Sequence, residues 1–150
     1  MTYMDQTTAL PCPHDRPEFY EGVLAKRALA WVIDTAVITG MTLMAGILTL
    51  TVAWFLWPLA FLAIGGLYRI ATLANRSATW GMRLMGIELR DAMGDRLDPV
   101  QSVLHVTGYY ACVLFALLPQ LASIGAMVVT DRRQGLPDLV LGTAAINRPD

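Results

Sequence analysis

The stretch "RALAWVIDTAVITGMTLMAGILTLTVAWFLWPLAFLAIGGLYR", residues 27–69, decides the fold. Between its two terminal arginines, from Ala28 to Tyr68, run 41 residues whose only charge is Asp34. As one helix the run would be about 60 Å long, twice the hydrocarbon thickness of a bilayer, so it must fold back on itself. The turn is expected near "TVAWFLWP", where Trp54 and Trp57 suit a membrane interface and Pro58 is tolerated in the first turn of a new helix. Spans at about 27–51 and 55–74 follow.

A second run, Pro99 to Thr130, has 32 residues without Asp, Glu, Lys or Arg. A soluble bundle would need polar residues at helical period on its exposed faces, whereas both runs are apolar all round. The third span is placed at about 100–118, with a short returning helix at about 120–131; the alternative is one long span kinked at Pro119. Over all 150 residues, 55% are hydrophobic and mean hydropathy is +0.49, richer than soluble chains of this length.

Charge orients the spans. Arg69, Arg76, Arg83, Arg90 and Arg96 crowd the segment after the second span, and Lys26 and Arg27 fall on the same side once the hairpin closes. The positive-inside rule places that segment and the N-terminus in the cytoplasm. Arg132, Arg133 and Arg148 after the last run favour return of the chain to the same side. Within the basic segment, "GIELR" alternates Ile87 and Leu89 with Glu88 and Arg90 and leads into "DAMGDRL", the pattern of a small β-hairpin at the membrane surface. Asp5, Asp15, Glu18 and Glu21 give the first 25 residues no apolar signal-peptide core, so the first span is expected to be its own insertion signal.

A carboxylate inside an apolar slab costs about 2.5–3.5 kcal/mol on insertion scales, so Asp34 needs protonation, a basic partner or a wet cavity. Arg27 lies seven residues away, on nearly the same helix face but about 10 Å along the axis, too far for direct pairing. Two uses compete. A carboxylate that alternates between proton and cation suits a proton-coupled carrier, and a fixed one accepting from Arg27, Arg69, His105, Thr35 or Thr39 would pin helices together. His105 is a candidate partner of Asp34 in a proton path, or only a hydrogen-bonding group between helices. In "TDRRQGLPDLVLGT" Asp138 reads as a helix cap beside Arg132 and Arg133, in a turn fixed by Gly135 and Pro137. Ala36 and Gly40, four apart, suit close helix packing.

Other classes are not expected. A net charge of -1 argues against a nucleic-acid surface. Cys12 and Cys112 make neither a metal spacing nor a redox pair, and "PCPH" with Cys12 and His14 is a weak metal signal. There is no nucleophile beside a base and no glycine-rich phosphate loop, so neither an enzyme nor a cofactor is indicated.

Taken together these residues resemble the RDD family of small bacterial membrane proteins, named for one arginine and two aspartates. Arg27 matches the arginine opening the first helix, Asp34 the aspartate within it and Asp138 the late aspartate. "SATWGMRLMGIELRDAMGDRL" is similar to the family's threonine-x-glycine-basic loop and glycine-containing hairpin, through Thr79, Gly81, Gly86 and Gly94; "DRRQGLPDLVLGT" is similar to its closing motif, through Arg133, Gln134, Asp138, Gly142 and Thr143. The likeness covers about residues 19–147, between a polar tail at 1–18 and a short tail at 148–150. Departures are Met82 then Arg83 where the family has a lysine after the loop glycine, Pro137 where it has histidine, and the surroundings of His105 where an arginine is common.

The resemblance implies an all-α inner-membrane protein with three to four transmembrane or re-entrant helices and a cytoplasmic β-hairpin-like loop between the second and third. It implies a polar cluster of Arg27, Asp34 and Asp138, supported by Thr79, Gly81, Arg83, His105 and Arg133. It also implies transport, including exchange of sodium or other monovalent cations for protons; on that hypothesis Asp34 is the alternating proton and cation site, Arg27 its electrostatic tuner and Asp138 a cytoplasmic gate or entry ligand. With so few spans per chain, a pathway calls for a homo-oligomer. The alternative is a non-transporting structural or accessory subunit of a larger membrane complex.

Overall fold

The computed structural model describes residues 8–49, 52–114 and 117–148, in seven helices and two strands. The long apolar run folds as α1 (Val23–Leu48) and α3 (Trp57–Arg76), joined through a short α2 (Val52–Phe55). The hairpin turns where the tryptophans stand, with Pro58 in the first turn of α3. Residues 50 and 51, given to the first span, lie outside the described residues, as do 115 and 116 of the third. The second run forms α5 (Pro99–Leu114) and α6 (Leu117–Val129), so Pro119 sits inside a second helix that packs against the first. Asp98 starts α5 with a reciprocal cap: its Oδ1 accepts from the Gln101 N–H at 2.7 Å, and the Gln101 side chain accepts from the Asp98 N–H at 3.1 Å.

Between the two pairs lie α4 (Trp80–Leu84) and β1 (Ile87–Arg90), and the chain closes with α7 (Leu136–Leu141) and β2 (Ala144–Asn147). The expected hairpin nub is present as a turn in which Asp91 N–H donates to Asp95 O at 3.0 Å, closed by a single Arg90–Arg96 bridge. The longer ladder is non-local: β1 pairs antiparallel with β2 in the register Ile87 to Asn147 and Arg90 to Ala144. The local turn offers no second strand of matching alternation, whereas "AAIN" brings small and apolar side chains that both ribbon faces can bury.

The ribbon sits on one end of the helices. Val23, Leu73, Ile87, Leu89, Leu97, Val106 and Ala145 form one buried cluster there, and Leu10, Tyr20, Ala144 and Ile146 a second. Residues 8–20 thus pack onto the ribbon; Ala9 N–H donates to Ala92 O at 2.7 Å and the Tyr20 hydroxyl to Pro11 O at 2.9 Å. Lys26 Nζ donates to Asn147 Oδ1 at 2.7 Å, pinning β2 to the start of α1.

Away from the ribbon the helices are inverted relative to a soluble bundle. The inward face of α1 carries Ala30, Asp34, Ile38, Thr42 and Gly46, while Leu29, Trp31, Val32, Met44, Ile47 and Leu48 are exposed. Ala36 and Gly40 also face outward, so their spacing packs nothing within the chain. Among the described residues two helices, Pro17–Leu48 (α1 with the 3-10 turn before it) and Trp57–Arg76, are long and apolar enough to cross a membrane, and only 22% and 17% of their most apolar stretches are buried. A core helix of a soluble protein would be mostly covered.

Close packing of α4 on α1 depends on Gly81, where an added Cβ would run into the carbonyl of Ala30. Gly81→Ala is therefore expected to lower stability by about 1–3 kcal/mol through overpacking. Gly40→Ala, whose Cβ would meet nothing within 4 Å, is expected to be neutral or slightly stabilising. Thermal unfolding of the two purified variants against wild type measures the difference.

Candidate functional site

Two buried carboxylates organise the interior, each with its own partners. Asp34, 1% exposed, sits at mid-height on the inward face of α1. Its Oδ1 accepts from the Tyr68 hydroxyl at 2.7 Å and from the Gly81 N–H at 2.9 Å. Its Oδ2 accepts from the Thr79 hydroxyl at 2.6 Å, and Arg69 Nη1 stands 3.8 Å away. Thr79 is the N-cap of α4, and its oxygen also accepts from the Met82 N–H at 3.2 Å. The Tyr68 oxygen likewise accepts from the Trp80 N–H at 3.1 Å. One carboxylate thus ties α1 to α3 and to the first turn of α4, where the helix presents free N–H groups to a negative charge.

Asp138, fully buried, is the third residue of α7 and reaches back to its N-cap: Oδ2 accepts from the Gly135 N–H at 3.0 Å. Oδ1 accepts from the Thr143 hydroxyl at 3.0 Å, so the same side chain also closes the turn into β2. Arg27 Nη1 lies 2.8 Å from Oδ2 but off the axis of its N–H bonds, an ion pair rather than an aligned hydrogen bond. His105 Nδ1 is 3.6 Å from Oδ1. Burial by itself would raise the Asp138 pKa; Arg27, then His105, the Gly135 amide and the Thr143 hydroxyl together pull it below the ordinary value of 3.8. At Gly135 an added Cβ would come within 2.5 Å of Met127 Cε and 2.7 Å of Ser123 Oγ, which itself accepts from the Leu136 N–H at 3.0 Å and links α6 to α7.

The cluster of Arg27, Asp34 and Asp138 is therefore split. Arg27 faces Asp138, not Asp34, because α7 brings an acceptor level with the first turns of α1 while Asp34 lies well along the same helix. Among the groups considered as partners of Asp34, Arg69 approaches it; His105 turns to Asp138, and Thr35 and Thr39 donate to carbonyls of their own helix, Trp31 O and Thr35 O. Thr79 and Gly81 are direct partners of Asp34. Arg83 is exposed at the end of α4, and Arg133 bonds the Val128 carbonyl at 2.6 Å, capping the end of α6. Tyr68 was not read from the sequence, because its donor meets Asp34 only through tertiary packing; Thr143, named with the closing motif, reaches Asp138 from five residues along the chain.

A third ionic group lies in the ribbon. Glu88, 1% exposed, accepts from Arg90 Nε at 2.8 Å and is approached by Arg148 Nε at 3.7 Å.

Both carboxylate clusters border one cavity of about 440 Å³ between α1 and the α5–α6 pair. Arg27, Asp34, Arg69, Thr79 and His105 contribute to its wall, the rest of which is largely apolar. Two contacts bridge it: the Arg27–Asp138 pair and the Trp31 Nε1 to Tyr109 hydroxyl bond at 2.9 Å. Arg69 lies over the Tyr109 ring at 4.8 Å. No group of three or more His, Cys, Asp or Glu side chains is placed to hold a metal among the described residues.

A model described as the RDD family matches residues 22–142, most of the chain. No curated protein and no solved structure matches.

The Asp138 ion pair has a definite pH signature. Because its folded pKa is below its unfolded value of 3.8, its stabilisation is complete above about pH 4 and is lost as pH falls from there through the folded value. Asp138→Asn is expected to cost about 3–5 kcal/mol at neutral pH, since it strands a buried arginine, and to flatten the acid limb of stability. Chemical unfolding from pH 7 to pH 3 of wild type and variant measures both effects.

Proposed function

The chain belongs to the RDD family, and on that premise we propose that it is a multi-pass integral membrane protein whose two aspartates are fixed structural ties around a small-molecule cavity. The observation that carries this reading is the saturation of Asp34. Both of its oxygens accept from groups anchored on other elements, one of them a backbone N–H that cannot rotate away. Releasing the carboxylate to a cation would leave the Gly81 N–H and two buried hydroxyls without an acceptor, at about 1–3 kcal/mol each.

Embedding in a bilayer is supported by the outward apolar faces of α1 and α3 together with the inward Asp34 and Thr42, an arrangement suited to hydrocarbon rather than water. The ribbon end, where Lys26, Arg76, Arg83, Arg90 and Arg96 gather, is the cytoplasmic end in this reading, and the membrane is the bacterial inner membrane. The protein is then a non-catalytic membrane component that binds a ligand or a partner subunit, not an enzyme.

Cation/proton exchange is the second reading. It is favoured by the presence of Asp34, Arg69 and His105 on the wall of one cavity, where local opening would give an ion access to the carboxylate. Proteoliposomes with a preset pH gradient separate the two. The structural reading expects no sodium-, lithium- or potassium-dependent collapse of the gradient by wild type, and an Asp34→Asn chain destabilised by about 3 kcal/mol or more. Cation-dependent collapse by wild type, absent from an Asp34→Asn chain of equal melting temperature, would establish exchange instead.

A further inference from the structure

The wall of the cavity carries three polar side-chain atoms without an aligned hydrogen bond. Among the described residues, Arg69 Nε, Arg27 Nη1 and His105 Nδ1 are buried and make no hydrogen bond, and all three residues line the same cavity. The two guanidinium groups can only donate. Such N–H groups are costly to bury without an acceptor. Arg27 Nη1 stands 2.8 Å from Asp138 Oδ2 and His105 Nδ1 3.6 Å from Asp138 Oδ1, so both already face a carboxylate, whereas Asp34, accepting from Tyr68, Thr79 and Gly81, leaves Arg69 Nε without an aligned acceptor. An oxygen acceptor entering the cavity would meet Arg69 Nε beside the positive charge of Arg27.

The remaining wall restricts what that body is. Leu24, Leu73, Val106, Ile124 and Met127 give an apolar lining around the charged groups. At the rim, Trp31, Val32 and Ile124 are exposed and belong to the apolar shafts of α1 and α6, away from the polar ribbon end. The opening therefore faces the side that hydrocarbon would cover. A volume of about 440 Å³ lies in the range of small-molecule sites. A metal cation is disfavoured because two arginines face the space.

We propose that this cavity binds a single-chain amphiphile with an anionic oxygen head, a long-chain carboxylate or phosphate monoester, the head on Arg69, Arg27 and His105 and the chain along the apolar wall towards the rim. The inference deepens the reading of the cavity as a ligand site and uses the membrane only as the route of entry. The head meets Arg69 Nε without displacing either aspartate, and the chain replaces lipid at the rim.

The test is equilibrium binding of radiolabelled palmitate to the full chain in nanodiscs of zwitterionic lipid, with empty nanodiscs subtracted. Saturable binding is expected, displaced by hexadecyl phosphate but at least tenfold less well by hexadecanol and not by inorganic phosphate. Arg69→Gln is expected to weaken it at least tenfold, with partial recovery in Arg69→Lys. Ala28→Phe, on the cavity wall outside both carboxylate clusters, is expected to weaken it similarly with melting temperature unchanged. Equal displacement by hexadecanol would reduce the site to an apolar cleft, equal displacement by inorganic phosphate would remove the need for a chain, and stronger displacement by dioleoyl phosphatidate would assign it to a two-chain lipid; each overturns the proposal. So would wild-type affinity in a folded Arg69→Gln chain, or no saturable binding, which would leave the donors to water. Saturable binding in neutral detergent by a chain that fails to enter bilayers would refute the membrane reading and leave this one standing. A chain that embeds without binding palmitate would do the reverse.

Discussion

The structure depends on one carboxylate being held in an apolar interior. Asp34 is the only charge on a long stretch of chain, and the geometry around it is organised to compensate that charge. Thr79 and Gly81 offer a hydroxyl and a backbone N–H two residues apart at the start of α4, and Tyr68 offers a phenol from α3. Each is useful to Asp34 only if α4 lies against α1, and that approach is possible only because Gly81 has no side chain. The carboxylate, the glycine and the short helix therefore stand or fall together. Removing any one leaves buried polar groups with no water to turn to.

Asp138 repeats the solution at a different level of the molecule. It too joins a helix start, here that of α7, to a nearby hydroxyl and to a cation brought from afar, and it too sits against a tightly packed glycine. The two knots share a cavity without sharing a partner. This separation explains why Arg27 and Asp34, seven residues apart on one helix face, do not act as a pair: each answers to a different distant segment. Arg69 stands between the systems, near Asp34 but with its charge also over the Tyr109 ring.

Much of this was legible in the residues, for reasons that differ by element. The hairpin of α1 and α3 followed from the length of the uncharged run and from Trp54, Trp57 and Pro58, all local signals. The importance of Asp34 followed from its isolation, and that of Thr79 and Gly81 from a motif. The partnership of β1 with β2 was not legible, because the alternation in "GIELR" says that a strand exists and nothing about which distant strand will meet it. Likewise Tyr68 is ordinary in its neighbourhood; only the crossing of helices converts it into a partner of Asp34. Arg27, Arg69 and His105 were named together as possible partners of Asp34, but that Arg27 and His105 turn to Asp138 and that all three line one cavity was hidden, since they come from three helices.

The pairing of β1 with β2 also imposes an order on assembly during synthesis. The Asp34 knot needs nothing beyond Gly81, so α1, α3 and α4 can lock together while the rest of the chain is still being made. β1 emerges next, yet both faces of its ribbon and the buried Glu88 stay incomplete until Ala144–Asn147 arrives, and Arg27 waits equally long for Asp138. The early half is thus held as a partly closed clamp with an open polar edge during translation.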